Sequence, residues 1–170
     1  AYQEKPVNRQ SIDGLFLQGG VCFPQRRRGT EEMKEVIMRE DKIRQITGDI
    51  IDSAMKIHKM FGPGMLESVY ERMLSIELRK RGHVVECQKS IGFVYEGETF
   101  GDAFRLDLLV DGTVVVELKS TSAMNPVFAK QLRTYLVLSG LEIGLVMNFG
   151  MALMRDGIVR VINSCNLNAS

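Results

Sequence analysis

Asp107, Glu117 and Lys119 stand in the spacing Asp-x9-Glu-x-Lys within stretches that are otherwise apolar. Phe104, Leu106, Leu108 and Val110 surround the first; Val114, Val115, Val116 and Leu118 surround the other two. Carboxylates and ammonium groups are rarely buried without partners, so each needs a compensating interaction. Glu117 and Lys119 are two apart on an extended chain, which places them on one face roughly 6.5–7 Å apart. Two carboxylates meeting at one point form a hard-oxygen site suited to Mg2+ or Mn2+. A lysine beside them can position a water and stabilise charge developing on a phosphate. Glu-x-Lys alone is ordinary on a half-exposed sheet. The pattern split across two segments joined by Asp111-Gly112 is more specific.

Register decides whether the carboxylates meet. Simple alternation sets Phe104, Leu106, Leu108 and Val110 on one face, with Arg105, Asp107 and Leu109 on the other. A two-residue turn at Asp111-Gly112 pairs Leu106 with Glu117 and turns Asp107 away. A three-residue loop over 111–113, or an equivalent bulge, pairs Asp107 with Glu117, and this is the expected geometry. Glu67 falls in the first turn of a helix, where interaction with the helix N-terminus alone could account for it. Gln131 and Tyr135, four apart, share a helix face, with Lys130 and Arg133 beside them.

These residues require elements to hold them. Ile43, Ile46, Ile50, Ala54, Ile57 and Phe61 recur at helical spacing, and Gly62-Pro63-Gly64 stops that helix. Leu66, Val69, Tyr70, Met73, Leu74 and Leu78 form the stripe of a second, ended by Gly82. His58 reads as a surface or packed histidine. The period then becomes two over 84–89, 91–95, 103–110 and 113–119, with turns at Glu96-Gly97 and Asp111-Gly112. Asn125-Pro126 caps a helix to about Ser139, a strand covers 143–148, and a last hairpin turns at Asp156-Gly157. The order α-α-β-β-β-β-α-β-β-β predicts an α/β (α+β) domain, a central mixed β-sheet flanked by helices, over residues 41–170. Residues 1–40 read as an irregular extension or arm, with Met38 a candidate start and Arg26-Arg27-Arg28 its basic run.

Composition narrows the function classes. The chain has 170 residues, with 22 basic and 21 acidic side chains and a formal charge of +1. That excludes a polybasic nucleic-acid coat and an acidic disordered tail, so any nucleic acid must meet a local patch or a metal. No apolar run is long enough to span a bilayer, and no secretory signal pattern is seen. Cys22, Cys87 and Cys165 are scattered and odd in number, which fits a reducing cytoplasm and neither a disulfide framework nor a zinc site.

Taken together, Gly64-x-x-Glu67-x-x-Tyr70, Arg105-x-Asp107, Glu117-Leu118-Lys119, Gln131-x-x-x-Tyr135 and Asn148-Phe149-Gly150 resemble the GxxExxY protein family of the PD-(D/E)XK nuclease superfamily. The resemblance covers residues 49 to 163 and implies a restriction-endonuclease-like core and Mg2+-dependent phosphodiester cleavage. It implies Asp107 and Glu117 as metal ligands joined by Glu67, and Lys119 as the catalytic lysine. Gln131 and Tyr135 match a motif that follows the lysine in RecB-like members. Leu106 stands where the superfamily's name has proline. The expectation is a cytoplasmic Mg2+- or Mn2+-dependent nuclease, with DNA as the expected nucleic acid, held at Lys130, Arg133 and Arg105. The alternative is a non-catalytic nucleic-acid-binding or assembly module of the same fold, with the N-terminal arm docking a second copy or a protein partner.

Overall fold

In the computed structural model the described residues are 30–163. The chain divides into Ala1–Glu35 and Val36–Ser170. Helix α1 (Thr30–Phe61) is followed by α2 (Glu67–Lys80), β1 (Val85–Tyr95), β2 (Glu98–Val110), β3 (Val114–Lys119), α3 (Pro126–Ser139), β4 (Ile143–Asn148) and β5 (Ile158–Ile162), with a 3-10 turn at Met154–Gly157. The strands form one sheet in the order β1-β2-β3-β4-β5. Only β3 and β4 run parallel, joined through α3; the other neighbours are antiparallel.

Two apolar clusters sandwich this sheet. Ile46, Ile50, Ala54 and Ile57 of α1 and Tyr70, Leu74 and Leu78 of α2 pack on one face. Leu132 and Leu136 of α3 pack on the other. Strands β3 and β4 are covered on both faces, which is why they read as continuous apolar runs rather than alternating ones. Helix α3 has the expected limits: the Asn125 side chain accepts from the Val127 amide at 2.9 Å, and Gly140 takes φ 68° at the C-cap.

Several expectations are corrected. Helix α1 begins at Thr30, so residues 30–40 are helical, not irregular. Met33, Val36 and Ile37 stand there at helical spacing, but the segment is short and its side chains are largely exposed, so they form no buried stripe. Phe61, Leu66 and Val69 are exposed and do not belong to the buried stripes. Among the described residues the seven predicted strands become five. The expected strands at 84–89 and 91–95 merge into β1, which starts at Val85; among the described residues β5 alone follows Asp156-Gly157, and no strand lies between β4 and that turn. The Arg26–Arg28 run lies outside the described residues.

Candidate active site at the edge of the third strand

The loop between β2 and β3 is the three-residue one. Asp111 and Gly112 take φ of 51° and 62°, and Val110 pairs with Val114, Leu109 with Val115 and Leu108 with Val116. One step further would set Asp107 opposite Glu117, and there the ladder ends. The Leu118 amide, released from β2, donates instead to Asp107 Oδ2 at 2.7 Å. Two residues on, the Ser120 amide donates to Glu67 Oε1 at 3.0 Å. Acids from β2 and α2 thus cap successive free amides along one edge of β3.

Glu117 and Lys119 share the other arrangement expected of them. Lys119 Nζ donates to Glu117 Oε1 at 2.7 Å and lies 5.6 Å from the Phe128 ring centroid on α3. Glu117 is 3% exposed, and its Oε2 has no hydrogen-bond partner. Burial, then the nearby Asp107 and Glu67 charges, push the Glu117 carboxyl above its ordinary range; the Lys119 hydrogen bond opposes this but leaves Oε2 bare. Burial also raises Asp107, against its bond from Leu118. Burial disfavours the Lys119 charge, yet Glu117, Glu67 and Asp107 together hold its pKa above the ordinary value, so it stays an ammonium.

The alternation expected for β2 does not survive this site. Leu108 and Val110 pack towards α1 and α2, whereas Phe104 and Leu106 pack with Leu109 in the α3 cluster. Leu106 therefore changes face, and the reversal falls at Asp107, whose carboxylate lies between the strands. Strand β1 reverses opposite it: Val85 joins the first cluster and Ile91 the second. Between them Gln88 has φ 51°, and the Gln88–Asp107 pair is missing from a register that is otherwise regular from Val85 to Ile91; a separate shift follows between Ile91 and Phe93.

Supporting contacts fix the ends of α2 and β3. The Tyr70 hydroxyl donates to the Gly62 carbonyl at 2.7 Å and accepts from the Met65 amide at 3.3 Å, locking the turn before Glu67. Its ring stacks on Phe149, centroids 4.3 Å apart, and the Phe149 amide bonds the Lys119 carbonyl at 2.7 Å. The fully buried Asn148 amide bonds Thr121, Ala123 and Gly150. A Cβ at residue 150 would overlap the Thr121 backbone, which accounts for the glycine.

Gln131 donates to the Tyr135 hydroxyl at 2.6 Å, and Tyr135 stacks on Phe104 at 4.3 Å. Among the described residues no hydrogen bond joins this pair to Asp107, Glu117 or Lys119. Lys130, Arg133 and Arg105 are exposed and make no ion pair there. A cleft of about 540 Å3 is lined by Glu67, Asp107 and Ser120 and by Glu71 and Gln88, which sequence reading missed. Glu71, one helical turn after Glu67, was detectable from spacing; Gln88 left no sequence signal.

The sequence model of the PD-(D/E)XK nuclease superfamily matches residues 44–161. The chain belongs to this superfamily. No curated protein and no solved structure matches it. The mixed sheet between helices is the fold expected of a PD-(D/E)XK protein. Such nucleases usually use divalent metals. The residues fit one: the buried Glu117 Oε2 has no hydrogen-bond partner and is chemically suited to ligate a cation, and the nearby acids offer hard carboxylate oxygens. Among the described residues no three of His, Cys, Asp and Glu are grouped to hold an ion unaided. Mg2+ commonly keeps several waters and takes only one or two carboxylates. No described helix of this PD-(D/E)XK protein is long and apolar enough to cross a membrane.

Proposed function

We propose that this chain is a metal-dependent nuclease of the GxxExxY kind that hydrolyses phosphodiester bonds in DNA. The observation that carries the reading is the unpartnered Glu117 Oε2, buried beside Lys119 and within electrostatic reach of Asp107 and Glu67. Asp107 and Glu117, with Glu67 nearby and waters completing the shell, would hold Mg2+ or Mn2+. When bound, the ion supplies Lewis-acid polarisation of the phosphate and lowers the pKa of a water. Lys119 remains protonated, so it donates hydrogen bonds to the water or the phosphate rather than taking a proton. Gln131 and Tyr135 orient one phosphate at the α3 side. Lys130, Arg133 and Arg105 carry unpaired positive charge for the flanking backbone, and α3 has no acidic residue to oppose it. The exposed Cys87 thiol fits a reducing, cytoplasmic setting.

A second reading, a non-catalytic nucleic-acid-binding or assembly module, draws on the Lys119–Glu117 ion pair and the lack of a ready three-acid cage among the described residues. Plasmid, linear duplex and single strands incubated with Mn2+ or with EDTA separate the two. Cleavage that needs Mn2+ and vanishes in Glu117→Gln supports the nuclease. Binding without cleavage in every condition supports the module.

A further inference from the structure

We propose that Gln88 is a positioning residue of this site, its carboxamide joining Glu71 to Asp107 and so setting the Asp107 carboxylate against the edge of β3. The inference rests on the nuclease reading for its activity readout only.

Position 88 lies in the middle of an edge strand, where extended backbone would normally serve. Its φ of 51° is the left-handed region that favours glycine and, less strongly, Asn or Asp. Such a conformation persists where its surroundings over-determine it. Here the compensation is visible: Gln88 Nε2 donates to Glu71 Oε2 at 2.6 Å and to Asp107 Oδ1 at 3.3 Å. With Oδ1 held from β1, Oδ2 meets the Leu118 amide. An amide suits this place chemically. Its NH2 group has two hydrogens, one for each acid, and it brings no charge to compete with a cation, as lysine or arginine would. The left-handed turn of the backbone also coincides with the point where β1 and β2 change the face they bury, so one residue fixes both the local course of the ribbon and the orientation of the acid.

Gln88→Gly separates these roles, because glycine relieves the backbone while removing the carboxamide. We expect the melting temperature to hold or rise. Hydrogen exchange at the Leu118 amide should accelerate severalfold while the Val116 amide stays protected. Loss of an orienting partner lowers Mn2+ affinity and turnover by about 10–100-fold. Gln88→Asn tolerates the backbone but is one methylene shorter, and should behave like glycine; Gln88→Glu, adding a third acid, should be worse. Unchanged Leu118 exchange in Gln88→Gly overturns the proposal. So does a lowered melting temperature with exchange rising equally along β2 and β3, which marks a purely structural role. If the wild type cleaves no nucleic acid with Mn2+, the nuclease reading fails, and Leu118 exchange still decides the role of Gln88.

Discussion

Glu117 combines 3% exposure with one oxygen bonded by Lys119 and the other bare, so in the metal-free protein burial opposes its charge. Its folded pKa lies above the ordinary 4.5, and that of Asp107 above the ordinary 3.8. Stability from such groups is fully present below the ordinary pKa and is lost as pH rises through the raised one. Urea denaturation in EDTA should therefore show stability falling as pH climbs out of the acidic carboxylate range, and Glu117→Gln should flatten that fall. The same variant should lose Mn2+ binding by titration calorimetry together with cleavage. Lys119→Ala leaves a buried carboxylate without its partner and should cost about 3 kcal/mol in EDTA. The loss should shrink in Mn2+, with metal binding retained and turnover lost. Equal stability in EDTA would mean that water already solvates Glu117.

At the scale of elements, the start of α2 is tied to β4 through one aromatic stack. Tyr70→Phe keeps the ring but removes the bonds to Gly62 and Met65, and should cost about 1 kcal/mol. Phe149→Ala empties the space under Tyr70 and should cost about 3–5 kcal/mol; thermal melts compare the two, and equal losses would deny the stack its importance. A second tie joins α1 to the strands. His83 Nδ1 faces Asp111 Oδ2 at 2.8 Å and Nε2 faces Asp49 Oδ2 at 3.1 Å, so both ring nitrogens meet acceptors and the imidazolium is favoured. Burial disfavours its charge, but the bonds to Asp111 and then Asp49 outweigh it and raise the pKa above 6.5. This contribution is complete below 6.5 and disappears as pH rises through the folded value. Denaturant midpoints taken across neutral pH should decline for the wild type and stay level for His83→Gln; parallel declines would locate the titration elsewhere.

For the molecule as a whole, a formal charge of +1 cannot draw in a polyanion from every side. Binding has to use a local surface, and the exposed Lys130 and Arg133, three apart on α3, make no ion pair among the described residues. Removing one cation that neutralises a phosphate flattens the log–log salt dependence of duplex binding by about one unit. Lys130→Ala/Arg133→Ala should thus weaken duplex binding in Ca2+ and reduce the slope by about two, as titrations at several salt concentrations would show. Tyr135→Ala should lower cleavage more than affinity. A slope that does not move would put the nucleic acid on another surface.

Alternation and turn chemistry were legible in the chain itself. The limits of α3, the Glu96-Gly97 and Asp111-Gly112 turns and the buried β4 follow from local preferences, and the three-residue loop over 111–113 from a pairing those preferences permit. Glu71, which shares a helix face with Glu67, could be inferred for the same reason. What only the tertiary structure decided lies where two elements answer each other. Gln88 adopts a left-handed backbone because Glu71 from α2 and Asp107 from β2 meet its amide, and no window of sequence around residue 88 contains either partner. The face reversal at Asp107, the merging of two short strands into β1 and the capping of Leu118 and Ser120 amides by acids 11 and 53 residues away have the same origin. Local periodicity reports which side chains can share a surface; it carries no information about which distant groups will satisfy a backbone amide once a neighbouring strand turns away.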